Sequence, residues 1–179
     1  MTELPDISIQ IPHLETERLH FRAPALSDFN AEAEFYASDR SKGVGGPYPR
    51  EKVWSKLCEK IGQWVLRGYG VWALEEKSTG TYVGRVGIYH PIEWPEAELA
   101  WTMMAAGEGK GYAFEAAQTV RDHMYRVHGW GALISVIMDD NARSIALAER
   151  LGCTREGGFE HPAYGYLPIW RHPGPETRT

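Results

Sequence analysis

Between residues 98 and 151 one run of chain alternates its apolar periods in an order few architectures can take. ELAWTMM (98–104) has the period-two pattern of a strand, and MAAGEGKG (104–111) is a turn punctuated by glycine. The longest helical signal in the chain follows over Gly111–His128. It places Ala113, Ala116, Ala117, Val120, Met124 and Val127 on one stripe, opposite Glu115, Gln118, Arg121, Asp122 and Arg126. ALISVIM (132–138) is apolar on both faces, as expected of a central strand buried under helices. Asn141–Leu151 is a second, shorter helix, and Gly152 stops it.

The rest of the chain supplies more strands and two earlier helices. In LETERLHFRAP (14–24), Leu19 and Phe21 alternate with Arg18, His20 and Arg22, which is a strand signal. LSDFNAEAEFYAS (26–38) offers Ser27 or Asp28 as a cap for a helix ending near Ser38. SDRSKGVGGPYPRE (38–51) is too rich in glycine and proline to continue a regular element, and a flexible loop is expected. From Glu51 to Arg67 the apolar positions Val53, Trp54, Leu57, Ile61, Trp64 and Val65 recur at helical spacing. GVWALEE and TYVGRVGIYH, joined by KSTG, form an antiparallel hairpin, and AYGYLPIW (163–170) is a late aromatic strand. The order is β, α, α, a meander of strands, then α, β, α, β. This predicts one α+β (mixed α/β) domain over residues 1–179, with a loose lead-in at 1–12 and a loose tail at 173–179.

Composition removes several function classes. No apolar stretch approaches the roughly 20 residues that span a bilayer. Nineteen Lys and Arg against 24 Asp and Glu give a net charge of −5, with no basic cluster, so nucleic-acid binding is not expected. The mildly acidic balance favours a cationic small molecule or a basic peptide as partner. Cys58 and Cys153 show no zinc or disulfide pattern, and the N-terminal residues carry no secretory signal. A reducing, cytoplasmic setting is expected, with no metal.

Gly109 and Gly111 can do either of two things. They let backbone N–H groups approach an anion at a helix start, or they only make a tight strand-to-helix turn. The spacing fits neither the dinucleotide fingerprint nor the Lys-Ser/Thr phosphate loop. The following segment, DDNARSIALAERLGCTREG, adds Asn141 and Ser144 at the opening of a helix closed by Leu151-Gly152. Glycine turn, helix, strand, Asn-x-x-Ser and Leu-Gly together resemble the GNAT superfamily of acyl-CoA-dependent N-acyltransferases. The likeness covers roughly residues 14–172 and is greatest to the branch that includes ribosomal-protein N-terminal acetyltransferases. It implies a central mixed, mostly antiparallel twisted sheet flanked by about four helices.

The resemblance also implies roles. Glu108–Ala113 matches the family's pyrophosphate pattern, a Gln or Arg, two variable residues, Gly, any residue, then Gly or Ala. Gly111 and Ala113 fit it and Glu108 departs from it. Backbone from Gly109 through Lys110, Gly111, Tyr112 and Ala113 to Phe114 would hold the diphosphate of acetyl-CoA, the cosubstrate. Main-chain groups of Met103 and Met104 would pair with the pantetheine arm. Asn141 would bond that arm as well as cap its helix, with Ser144 beside it. Ala148 stands where many relatives have a tyrosine acid. Ser144, Tyr164 or Tyr166 would substitute, or the thiolate would leave unaided.

For the base, period-two alternation puts Glu98, Ala100 and Thr102 on the face opposite Leu99, Trp101 and Met103. Glu98 is therefore either an exposed strand carboxylate or the group that takes the amine's proton. Glu96, Asp139 and Asp140 are rivals. His90, His123 and His128 have no catalytic partners, and Cys153 is core filler. The expected reaction moves acetyl from acetyl-CoA to a primary amine in a ternary complex, with a peptide or protein N-terminus favoured and a polyamine or aminoglycoside as the alternative. A CoA-binding regulatory module without turnover is the reading of another class. The acceptor pocket would use the Gly43–Arg50 loop with Tyr48, Trp54 and Trp64, unless those tryptophans are core. The chain would be a monomer or homodimer.

Overall fold

In strand β5 (Glu98–Met103) residues alternate between two covered faces, and everything that positions the site is built from that strand outward. The computed structural model describes residues 9–175. Before β5 come β1 (Leu14–Glu15), β2 (Leu19–Arg22), α1 (Phe29–Ala37), α2 (Arg50–Arg67), β3 (Val71–Glu76) and β4 (Thr81–Tyr89). After it come α3 (Tyr112–Val127), β6 (Ile134–Val136), α4 (Ala142–Arg150), β7 (Thr154–His161) and β8 (Gly165–Arg171).

The strands form one eight-stranded sheet in the order β1-β2-β3-β4-β5-β6-β8-β7. Neighbours are antiparallel except β5 and β6, which are parallel because the crossover through α3 returns the chain in the same direction. Among the described residues the fold is the mixed, mostly antiparallel α+β sheet with four α-helices that the sequence implies.

Helices α3 and α4 cover the face that carries Val83, Val86, Ile88 and Leu99, all buried. The α3 stripe holds at Ala116, Ala117, Val120 and Met124, but Val127 is 66% exposed. Arg121, expected on the polar side, is buried instead. Its Nη1 donates to the Leu151 carbonyl (2.6 Å) and lies 3.3 Å from His172 Nδ1, so the C-terminal segment covers it. On the other face α1 and the start of α2 form a second core of Ala33, Phe35, Tyr36, Val53 and Met104.

One expectation changes here, and one open alternative closes. Residues 39–44 are not a loose loop but a 3-10 segment (Asp39–Val44) with Ser41 fully buried, closed by Gly46 N–H donating to the Ser41 carbonyl at 2.9 Å. Trp64 is core, donating Nε1–H to the Val71 carbonyl and packing edge to face on Trp72 at 4.7 Å. Trp54 is half exposed, against Phe29. The lead-in and tail fall largely outside the described residues. Of the parts described, the Pro12 carbonyl accepts from Trp72 Nε1 (2.7 Å) and the Pro173 carbonyl from the Tyr125 hydroxyl (2.9 Å).

Candidate active site

Strands β5 and β6 pair at a single register position, Glu98 opposite Ile134, and then part. Two side chains bridge them where the ladder stops. Ser135 Oγ donates to the Leu99 carbonyl at 2.6 Å, and Val136 N–H donates to the Glu98 carboxylate at 3.1 Å. Beyond that point lies a cavity of about 440 Å³, walled by β5 on one side and by Ser135 to Met138, Asn141 and Ser144 on the other.

The free edge of β5 faces this wedge. Leu99 and Met103 both turn their carbonyls toward it, so by alternation the main-chain groups of Trp101 do too. The Met103 carbonyl accepts from Arg40 Nη2 at 3.0 Å and keeps a second lone pair. Met104 is different: alternation turns its main chain toward β4, where its N–H donates to the Val83 carbonyl, while its carbonyl accepts from Gly107 N–H, both at 2.9 Å, and its side chain is buried in the second core. Trp101 and Met103 are the residues with groups to offer.

The glycine turn leads from β5 to α3. Gly109 (φ +72°) and Gly111 (φ +78°) both adopt the left-handed conformation, and Gly111 caps α3. A Cβ on Gly109 would meet nothing within 4 Å, and one on Gly111 only Arg18 Nη2 at 3.6 Å, so backbone shape rather than space requires glycine. Past them the N–H groups of Tyr112, Ala113 and Phe114 have no partner within the helix. The side chains of Lys110 and Tyr112 turn away, both to Glu76 Oε1, and that carboxyl is held at about 2 chiefly by Lys110. What these two residues present is backbone.

Glu108, which departs from the family pattern, sits between two guanidinium groups, Arg40 Nη2 and Arg143 Nη1, each 2.6 Å from its Oε1. Replacing Glu108 by Gln removes a negative charge beside the turn and frees both arginines for an anionic ligand. The acetyl-CoA that the sequence resemblance implies should then bind roughly two- to fivefold more tightly, read by calorimetry. Weaker binding would mean that the carboxylate organises the turn.

Glu98 is buried. Its carboxylate accepts from Trp94 Nε1 (2.7 Å) as well as Val136 N–H. Burial pushes its pKa up to about 7, against those two bonds. It faces Tyr89 across the β4–β5 ladder, on the same face as the Arg85–Thr102 pair.

This geometry can be set beside known proteins. The sequence matches the Acetyltransferase (GNAT) domain over residues 18–154. The chain belongs to the GNAT acetyltransferase family. The crystal structure of the acetyltransferase from Agrobacterium tumefaciens str. C58 is 36% identical and superposes with a TM-score of 0.84, covering 94% of this chain and 98% of that one. YkkB of Bacillus subtilis (strain 168), an uncharacterized protein, is 34% identical over 90 residues. That match takes in 48% of this chain and 52% of YkkB, about half of each. RimL, a ribosomal L7/L12 alpha-N-protein acetyltransferase solved with coenzyme A, shares the fold at 16% identity and a TM-score of 0.70, over 88% of this chain and 94% of that one.

In this GNAT domain Asn141 caps α4, its Oδ1 accepting from Ser144 N–H at 3.3 Å, while its Nδ2 donates across the cavity mouth to the Gly43 carbonyl at 3.5 Å. Ser144 Oγ accepts from Trp101 Nε1 at 3.2 Å. Ala148 is fully buried beside Leu147 and Leu151. Of the two candidate tyrosines, Tyr164 lines the cavity, with its hydroxyl 3.4 Å from that of Tyr48, whereas Tyr166 does not reach it. The rival carboxylates are spent or remote: Glu96 pairs with Arg171 and Asp139 with Arg155, and neither lines the cavity, nor does Asp140. Cys153 is buried, which pushes its thiol up to about 11.

The sequence reading missed the opposite wall of the cavity, where Lys56, Glu59 and Lys60 of α2 and Arg85 of β4 stand instead of Trp54 and Trp64. Glu32 of α1 backs this wall, accepting from Tyr82 Oη (2.6 Å), Arg85 Nη1 (2.6 Å) and Lys60 Nζ (3.1 Å). Burial opposes its ionisation, but Arg85 and Lys60 outweigh that and hold it at about 2. The signal available was Lys56 and Lys60 at i, i+4, which reads equally well as a solvated helix face.

Proposed function

We propose that the protein transfers the acetyl group of acetyl-CoA to a primary amine by direct attack in a ternary complex. The cosubstrate brings a thioester, whose carbonyl carbon accepts a nitrogen nucleophile and whose sulfur leaves as a thiolate. The donor set fits that molecule. The first-turn N–H groups at 112–114, which no carbonyl of the helix takes, and the left-handed turn before them suit a diphosphate. The unpaired edge of β5 at Trp101 and Met103 suits an arm with two amides. Asn141 Nδ2 and Ser144 stand on the other side of the same wedge.

The observation that carries the reading is Glu98, a buried carboxylate with a pKa near 7 at the closed end of the wedge. A base tuned there is half ionised at neutral pH and accepts a proton from an alkylammonium far more readily than an exposed carboxylate would. The nitrogen then bonds to the carbonyl carbon, the carbon–sulfur bond breaks, and the thiolate takes a proton from Ser144 or Tyr164 or leaves as the anion. Trp101 backbone N–H, on the free strand edge, stabilises the developing oxyanion. No covalent enzyme intermediate is needed. The two unbridged cysteines suit a cytoplasmic setting.

A thiol-release assay with acetyl-CoA and a panel of amines tests this. Thiol appears only when an acceptor is added, and the rate rises with pH through about 7 as Glu98 ionises. Tight acetyl-CoA binding with no release from any amine would instead support a regulatory CoA-binding module.

A further inference from the structure

Resting on the reading above, we infer that the acceptor is a small zwitterion, an amine that carries a carboxylate or phosphate several bonds from its nitrogen, because the acceptor side of the cavity is itself dipolar. At one end stand carboxylates. Glu98 lies opposite Tyr89 in the β4–β5 register, and Glu59 of α2 lines the same cavity close enough for its charge, with that of Glu98, to hold the Tyr89 phenol protonated, which brings two carboxylates and a phenol together. At the other end stand cations. Arg85 is opposite Thr102 in the same register, four residues from Tyr89 along β4, or about 13 Å of strand. Lys60 and Lys56 approach this end from α2. Between the two ends the strand pair carries only Gly87 opposite Ala100, so nothing larger than a methyl intervenes.

The cationic end is short of negative charge. Arg85 and Lys60 share one carboxylate, Glu32, whose two oxygens already accept three hydrogen bonds. Lys56 has no ion pair within 4 Å among the described residues: its ammonium lies 5.2 Å from the centre of the Tyr48 ring, and Glu59, one turn along α2, attracts it without touching it and does not outweigh its burial. Lys56 is half-buried, and burial lowers its pKa. Buried cations without a matching anion are costly, and a ligand anion relieves that cost. A polyamine or aminoglycoside would put more positive charge there. The chain's net charge of −5 does not set the charge of this end of the cavity, which Arg85, Lys60 and Lys56 line against the single carboxylate Glu32 behind them. Size points the same way. The 440 Å³ must hold the acetylated end of the pantetheine arm as well as the acceptor, and the 3-10 segment with the Tyr48–Tyr164 contact spans the mouth.

The test compares acceptors matched in length: ω-amino carboxylates of three to six carbons, their amides, the corresponding diamines, an O-phosphorylated amino alcohol, and an N-terminal ribosomal peptide. Thiol release and calorimetric binding in the presence of CoA are both measured. The inference expects kcat/KM at least tenfold higher for the anionic amine than for its amide, and higher again over the diamine. Whether carboxylate or phosphate wins identifies the anion. Lys56→Met should lower the anionic-to-amide ratio about tenfold through the acceptor KM, and Lys56→Glu should turn the preference toward diamines. Acetylation that ignores the acceptor's charge, or favours diamines or the peptide, overturns the inference and leaves acetyl transfer standing. Lys56-dependent binding of the anionic amine with no thiol release keeps the dipolar site and overturns transfer. Neither binding nor release overturns both.

Discussion

Glu98→Gln should lower kcat about 100-fold or more while leaving the KM for acetyl-CoA within roughly threefold. Gln keeps the shape and, with its one carbonyl oxygen turned to Val136 N–H, keeps the bridge between β5 and β6, at the expense of the Trp94 Nε1 bond, but it takes no proton. In the parent protein the rate should climb with pH through about 7 and then level, because the base works only when ionised and burial has moved its pKa there. The variant should lose that limb and follow the intrinsic ionisation of the amine instead. A kcat–pH profile for both proteins checks this. An unaltered limb in Glu98→Gln would move the base role to Glu59, the other carboxylate on that side of the cavity.

Gly111→Val has the second large effect, on binding. At φ +78° a β-branched side chain is strained by roughly 1–2 kcal/mol, and relaxing that strain turns the following N–H groups away from their common direction. Acetyl-CoA at about 100 times its dissociation constant stabilises the parent by roughly 2.7 kcal/mol, about 5–10 °C in Tm. If affinity falls 100-fold, the same concentration gives only about 0.4 kcal/mol, or roughly 1 °C. Gly129→Val separates strain from function. Gly129 also has positive φ, +65°, with nothing within 4 Å, just past the end of α3 opposite to the turn. It should lose similar stability and keep the full rise with acetyl-CoA. A full rise in Gly111→Val would make the turn purely structural.

The parts of this molecule that its sequence discloses are those where local pattern and tertiary need coincide. ELAWTMM, the glycine turn and the α3 stripe each satisfy one period, and α3 falls within one residue of its expected bounds at both ends. Asn141 was legible as a cap because capping is local. Where long-range partners decide, the pattern misleads. Glycine and proline in residues 38–51 forbid a long helix but do not forbid order, which here comes from Arg40 on the Met103 carbonyl and Asn141 on Gly43. Arg121 reads as solvated until Leu151 and His172 close over it. Lys56 and Lys60 lie beside an apolar stripe and look like its wet border, because the cavity they face is made by strands that come later in the chain. Met104 follows the strand period to its end, yet its carbonyl is taken by the first turn after the strand.

The most direct test is a crystal structure with CoA. It should show the diphosphate on the N–H groups of residues 112–114, the pantetheine amides against Trp101 and Met103 in the wedge between β5 and β6, and the sulfur near Ser144 on the side toward Glu98. A diphosphate bound away from the 109–114 turn, or an arm that leaves the wedge empty, would contradict the account.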